Sequence, residues 1–509
     1  MKLLGKILLG IFALILFASA TLWILAKNIK PETIKQLVNG QITAITHKKS
    51  QINGDIFWQI FPRPGLKFSN IQIGDEKANE NYFLTADTLL FNLKITPLFK
   101  GDFVFSEINV DGLKLQINKD AAQIAAPDET KIKNPRELSA HQFAIQNLSL
   151  SHGQITINSN GHRTTFKNIQ VAMEQFNLQQ YPFPIQLKAR LIEAGPLSIA
   201  KANINFKGRL TLASTVINEL QKGIVKSSAE GQLAAQNILL NQFIIKNVHA
   251  TVKTDKSGIT FNPFTLSLYN GESVGDMNYN IANQQITLNQ TATNLDGKQL
   301  MTALSGRDLV SGTLDYSIHA TVPLHKPFIE SINSKGHVTI KDGQIHNINL
   351  NQLLTNLKDK LNNLTLGNSL QQQSIKADDW NSETSNMGST AFKLANIQYQ
   401  VQNGLMNSDT LLLQTDTLQV NGQGSLNLIN QELSAKLKAI LNSNNSDSSM
   451  QKLQQSLGGS FPLEISGTLT RPLVLPDFKV INPLLGSLLK NTLKKPVDKI
   501  KGQLKELLH

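Results

Sequence analysis

The chain has 509 residues, no cysteine, a formal net charge of +12 and only 17% charged residues. Lack of cysteine excludes a disulfide framework, a thiolate metal site and a cysteine nucleophile. The basic residues are scattered except at the far C-terminus, and no arginine-rich stripe with interleaved aromatics occurs, so the charge does not describe a nucleic-acid partner.

Residues 7–26, ILLGIFALILFASATLWILA, are uncharged. Their apolar members are Ile7, Leu8, Leu9, Ile11, Phe12, Leu14, Ile15, Leu16, Phe17, Leu22, Trp23, Ile24 and Leu25. About 20 such residues make roughly 30 Å of helix, enough to cross a bilayer core. Two readings stay open. Ala18-Ser19-Ala20 fits the A-x-A cleavage site of a signal peptide. The apolar run continues past it, and Trp23 suits a membrane interface, which favours an uncleaved anchor. Lys27 and Lys30 balance Lys2 and Lys6, so flanking charge does not orient the segment. The short tail 1–6 is expected to stay cytoplasmic while the long remainder is translocated.

Residues 31–47 carry Ile34, Leu37, Val38 and Ile42 on one helical face. After that the period changes to two. Leu66 and Phe68, then Ile71 and Ile73, alternate as strand residues with a phase slip at Asn70. Ile108 and Val110, then Leu113, Leu115 and Ile117, alternate likewise. Residues 123–137 read as a surface loop. Short strands then recur about every ten residues, through Phe261, Leu266 and Leu268, as expected of an extended all-β architecture. Helical patterns are too few to cover a parallel sheet. Leu350, Leu353, Leu354 and Leu357 form one helical patch. Residues 371–388 read as a loop, and 442–455 as a low-complexity mobile stretch. Residues 480–509 return to helical spacing, with Leu488, Leu493, Ile500 and Leu504 on a stripe beside Lys490, Lys494 and Lys495, and Pro496 as a kink. This basic amphipathic helix either lies on an anionic membrane surface or caps the end of the sheet.

Motifs that would carry chemistry are weak. Gly271-Glu272-Ser273-Val274-Gly275 matches G-x-S-x-G, but alternation follows it where a nucleophile elbow needs a helix; the stretch L-x-L-Y-x-G-x-x-x-G over Leu266 to Gly275 reads as a hairpin corner. Ser449-Met450-Gln451-Lys452 matches S-x-x-K without a K-T-G. The ten histidines form no H-x-x-x-H; His152 and His162 either meet across a hairpin or are exposed strand residues. No phosphate loop occurs, and the acidic residues are dispersed, with only Asp378-Asp379 adjacent in a loop, which gives no carboxylate pair for glycoside cleavage. No catalytic residue, metal ligand or cofactor is assigned, and an enzyme is not expected.

The pattern I-x-G-x-x-x-W-x-x-F-P-x-P-G-L-x-x-x-x-I, here Ile52, Gly54, Trp58, Phe61, Pro62, Pro64, Gly65, Leu66 and Ile71, resembles the AsmA family of envelope proteins. The Asp111-Gly112 corner, the connector over 293–314 and the strands and Pro472/Pro476 signature over 390–477 are similar to the family as well. The resemblance implies a mainly β fold: an elongated, curved, U-shaped antiparallel sheet groove, an N-terminal transmembrane helix, a few short helices and a C-terminal amphipathic helix. It implies a cytoplasmic tail 1–6, an anchor 7–26, β-rich periplasmic modules 27–290 and 291–479, and a helical tail 480–509. It also implies a single-pass inner-membrane protein of a Gram-negative-type envelope that moves phospholipid, or maintains its balance, between the two membranes along an apolar groove. Leu66, Phe68, Leu113, Leu115, Ile117, Phe261, Leu266 and Leu268 are the candidate lining. The expected partners are the bilayer, its phospholipids and an envelope protein at the distal end. The competing expectation is a non-enzymatic scaffold for outer-membrane protein insertion.

Overall fold

A computed structural model of the chain describes residues 35–36, 39–40, 43, 48–59, 65–75, 82–94, 105–118, 145–159, 162–177, 179–194, 199–213, 227–240, 243–324, 326–366, 388–442 and 448–484. The chain divides into two compact units, one of residues 1–266 and 280–282, the other of 267–279 and 283–509. Among the described residues no helix is long and apolar enough to cross a membrane. The expected anchor 7–26 and the tail residues Leu488, Lys490, Leu493, Lys494, Lys495, Ile500 and Leu504 lie outside the described residues.

The first unit opens with β1 (Ser50–Ile52), β2 (Ile56–Gln59), β3 (Gly65–Ile73) and β4 (Tyr82–Leu93). β1 and β2 both pair antiparallel with β3, which pairs antiparallel with β4. Next come β5 (Phe105–Asp111), β6 (Lys114–Asn118) and β7 (Ile145–Ser159). From β7 the chain runs as a meander through β8 (His162–Phe176), β9 (Phe183–Ala194), β10 (Ile199–Thr211), β11 (Ser228–Leu240) and β12 (Phe243–Thr254), each strand antiparallel to the next. β13 (Gly258–Leu268) begins in this unit and ends in the second.

The sheet is not wholly antiparallel, as the resemblance implied. β7 runs parallel to β5 and β6. A parallel return needs a dozen or more connecting residues, and the segment 119–144 between β6 and β7 supplies them. The surface loop expected at 123–137 falls within that segment, outside the described residues.

β5 and β6 are two halves of one strand path. Thr88 faces Asp111 and Thr85 faces Lys114, so the register against β4 does not change across Gly112. The Asp-Gly corner is therefore a bend within a strand path. Buried side chains switch parity there, from Ile108 and Val110 to Leu113, Leu115 and Ile117. β3 switches in the same way at Asn70 (φ 51°), and β7 at His152 (φ 51°). The registers place Asn70, Asp87, Gly112 and His152 in one row across four strand paths. A left-handed residue in three of these paths, Asn70, Gly112 and His152, lets the strand bend while its apolar side chains stay on the core side. Gly112 sits at φ 66°, and a Cβ there would lie 2.0 Å from Asp87 Oδ2. Gly112→Ala is expected to destabilise the first unit by about 2–4 kcal/mol, measured by denaturant unfolding of the full chain.

The core of this unit gathers the inward residues of β3 to β7 with Phe176, Phe183 and Leu212. Phe68 and Phe91 meet edge to face at its centre, ring centroids 6.0 Å apart.

In the second unit Tyr269 and Asn270, both at positive φ (46° and 65°), form the tight turn into β14 (Gly271–Asn280). β15 (Gln285–Asp296) follows, then helix α1 (Gly297–Ser305). Asp296 caps α1 by accepting from the Gln299 N–H, and Gly306 in the left-handed region closes it. β16 (Val310–Pro323), α2 (Phe328–Ser331), β17 (Asn333–His346) and α3 (Leu350–Leu366) come next. The unit ends with β18 (Ser389–Gln402), β19 (Leu405–Gln414), β20 (Leu418–Asn427), β21 (Leu433–Leu441), α4 (Ser448–Ser456), β22 (Phe461–Thr468) and β23 (Arg471–Pro476). From β15 to β23 each strand pairs antiparallel with the next.

The stretch expected to be mobile over 442–455 takes in all of α4 but its last residue, and 443–447 lie outside the described residues. Its polar composition hides Met450, Leu453 and Leu457, spaced to face one way. They join the inward leucines of α3 over Leu418, Val420, Phe461 and Leu463. Ser449, the serine of the S-x-x-K match, is buried in this helix and accepts a hydrogen bond from Lys358 Nζ at 2.6 Å.

Candidate functional site: the apolar sheet faces

Antiparallel pairing turns the period-two pattern of each strand into rows across the sheet, and the register shifts at Gln398–Gln400 and Ser408–Leu411 fall between the two rows of the second unit. In the second unit one such row reads Ala292, Tyr316, Val338, Ile397, Leu411, Gly422, Leu437 and Leu463, from β15 to β22. A parallel row holds Leu288, Ala320, Ser334, Val401, Met406, Leu426 and Leu433. Seven strand spacings carry the first row over about 34 Å. Val338, Ile397 and Leu411 are half-buried and keep access to solvent. Toward β20–β23 the same face closes, because α3 and α4 bury Val420, Ala439, Phe461 and Leu463 beneath them.

The first unit repeats the arrangement. Val171, Leu187, Phe206, Leu233 and Ala250 form one row from β8 to β12, and Ala189, Ile204, Ala235 and Val248 form another from β9. Phe206 and Leu233 are half-buried. Glycines interrupt the face where rings lie over them. A Cβ at Gly231 would sit 2.9 Å from Phe206 Cζ, and one at Gly343 would sit 2.4 Å from Phe392 Cζ. The residues between, such as Lys188, Asn205 and Lys207, form the opposite, exposed face.

The residues expected to line a groove fall into two groups. Leu66, Phe68, Leu113, Leu115 and Ile117 pack together in the closed core of the first unit, each at most 3% exposed. Phe261 and Leu266 are half-buried on β13, and Leu268 packs against the cluster of Ala292, Leu295, Leu314, Ile340 and Phe392. The open apolar rows of β8–β12 and β15–β19 are not legible strand by strand, because a row exists only once register is known. Their single-strand signature, alternation as in Ile204 and Phe206, is present in the sequence.

Ser273 is part of strand β14 and fully buried, so the G-x-S-x-G match is no elbow. Its hydroxyl donates to Gln290 Oε1 at 2.6 Å and accepts from Tyr316 Oη at 3.2 Å. These groups satisfy one another on an otherwise apolar face. Burial raises the Tyr316 hydroxyl pKa against the lowering effect of Ser273. Burial, and then the neighbouring Tyr316, push Tyr399 up to about 12. In an alkaline titration followed by phenolate absorbance, Tyr399 is expected to ionise late among the six tyrosines, and Tyr399→Phe to remove that late amplitude. A tyrosine pKa raised in the folded state contributes stability that is present below pH 10 and lost as pH rises toward 12.

His152 does not meet His162, which pairs with Ser159 at the far end of the β7–β8 hairpin. Its Nδ1 lies 2.6 Å from Asp111 Oδ1, beside the bend. Hydrogen bonds from Ser151, then from His152, hold the Asp111 carboxyl below the usual range. Among the described residues no group of three or more His, Cys, Asp or Glu side chains is placed to hold a metal ion.

The AsmA family model matches residues 1–231 and 218–411, which together take in both sets of apolar rows as far as β19. Residues 412–509, with the Pro472/Pro476 signature, lie beyond the matched stretches. No curated protein and no solved structure matches the chain.

Proposed function

The chain belongs to the AsmA family, and from that premise we propose that it is a non-enzymatic lipid carrier of the cell envelope. The half-buried apolar rows hold the acyl chains of phospholipids moving between, or balanced across, the inner and outer membranes. Residues 7–26 anchor the chain in the inner membrane, and the bulk lies in the periplasm. The observation that carries this reading is the row from Ala292 to Leu463, apolar apart from the Tyr316 hydroxyl and Gly422 and half-exposed in its middle. Each methylene it shelters from water is worth about 0.8 kcal/mol, so two acyl chains gain on the order of tens of kcal/mol over an aqueous path. No bond is made or broken, and no catalytic group is needed.

The test is mass spectrometry of the full chain purified in detergent. Phospholipid that survives exchange into a large excess of fresh detergent supports the proposal. A protein that retains none contradicts it and favours the scaffold for outer-membrane protein insertion.

A further inference from the structure

The face opposite the apolar rows carries its own site. In the second unit, His319 on β16 pairs with Lys335 on β17, and His337 lies two residues along the same strand face. The three Cβ atoms fall within about 5–7 Å of one another. They line a cleft of about 590 Å³ that amide side chains, among them Gln398 and Gln400, complete from β18.

Two features set the chemistry. First, the imidazoles are oriented. Asn289 Nδ2 donates to Asp276 Oδ2 at 2.9 Å, which turns Asn289 Oδ1 toward His319 Nδ1 at 2.5 Å. A carbonyl oxygen only accepts, so His319 carries its proton on Nδ1 and leaves Nε2 for the cleft. His337 Nδ1 is held by Ser317 Oγ at 2.7 Å, which leaves its Nε2 likewise. Second, Lys335 has no ion-pair partner among the described residues. By contrast, Lys298, Lys341 and Lys393 of the same unit each pair with an aspartate, Asp308, Asp315 and Asp416, at 2.7–2.9 Å. One ammonium without an ion-pair partner, two oriented imidazoles and side-chain amides give the cleft one positive charge with both donors and acceptors around it. The carboxylates near it are Asp276, engaged by Asn289, Asp315, paired with Lys341 at 2.9 Å, and Asp409 on β19.

We propose that this cleft binds a phosphate group. Lys335 supplies the charge. The His319 Nε2 accepts from a P–OH, or from a hydroxyl or ammonium group beside a phosphodiester, and the His337 Nε2 accepts or donates according to which role Ser317 Oγ takes at its Nδ1. Asp409 opposes the ligand. The site lies on the face away from the acyl rows, so it stands or falls independently of the lipid-carrier reading.

The test titrates the full chain in neutral detergent with inorganic phosphate and, separately, with glycerophosphoethanolamine, a headgroup without acyl chains, followed by calorimetry. Saturable binding of the first identifies free phosphate as ligand, and of the second alone a lipid headgroup; either supports the proposal. Lys335→Ala is expected to weaken binding at least tenfold, and Asp409→Asn to tighten it severalfold. Both side chains are exposed, and circular dichroism of each variant checks that the fold is kept. No saturable binding of either probe, or a reversed pair of effects from the two variants, would overturn the assignment.

Discussion

Phe461→Ala is expected to lower the stability of the second unit by about 3–5 kcal/mol. Phe461 is fully buried and ends the row Leu413, Val420, Ala439 on the sheet. It belongs to the cluster formed with Leu353, Leu354, Leu357 and Leu361 of α3 and Leu453 of α4. Removing the ring loses its burial and leaves a cavity that two helices and a sheet cannot close together. Backbone amides of α3 and β22 in the full chain should then exchange with solvent hydrogen more than about a hundredfold faster. Exchange unchanged at α3 would show that the helix is held by something other than this cluster.

The second large effect concerns lipid. Phe206 and Lys207 are neighbours on β10 that point to opposite faces, one half-buried in the apolar row and one exposed. Phe206→Glu and Lys207→Glu introduce the same carboxylate about 3.4 Å apart along the strand. On the apolar row it would face acyl chains without a partner, a placement that costs several kcal/mol. Phe206→Glu should therefore lower retained phospholipid more than about tenfold, while Lys207→Glu leaves it near the wild-type amount. Equal losses would point to a general effect of charge and not to the row.

Much of the fold is legible in single strands. The phase slip at Asn70, the alternation through Ile117 and the turn at Tyr269-Asn270 all follow from residue pattern and turn chemistry. What the pattern does not carry is partnership between distant strands. The parallel return of β7 depends on where the chain goes after Asn118, and Ile108 and Val110, like Leu113 to Ile117, alternate as they would in any pairing. The same limit explains the lining. Leu115 and Phe206 have the same local signature, yet one is closed into a core and the other half-exposed, because only neighbouring strands and helices decide what covers a face. Likewise α4 looks like a serine-rich linker until α3 supplies the surface that Leu453 fills.

The central claim, that acyl chains lie along one face of these sheets, is tested most directly by placing a photo-crosslinking amino acid at Ile397 and, separately, at its neighbour Asn396. The two residues lie on opposite faces of β18, Ile397 in the apolar row and Asn396 accepting a hydrogen bond from Thr339. After irradiation of cells grown with labelled phosphate, the account predicts labelled phospholipid attached to the protein at position 397 and little at 396. Equal labelling at the two positions, or none at 397, would contradict it.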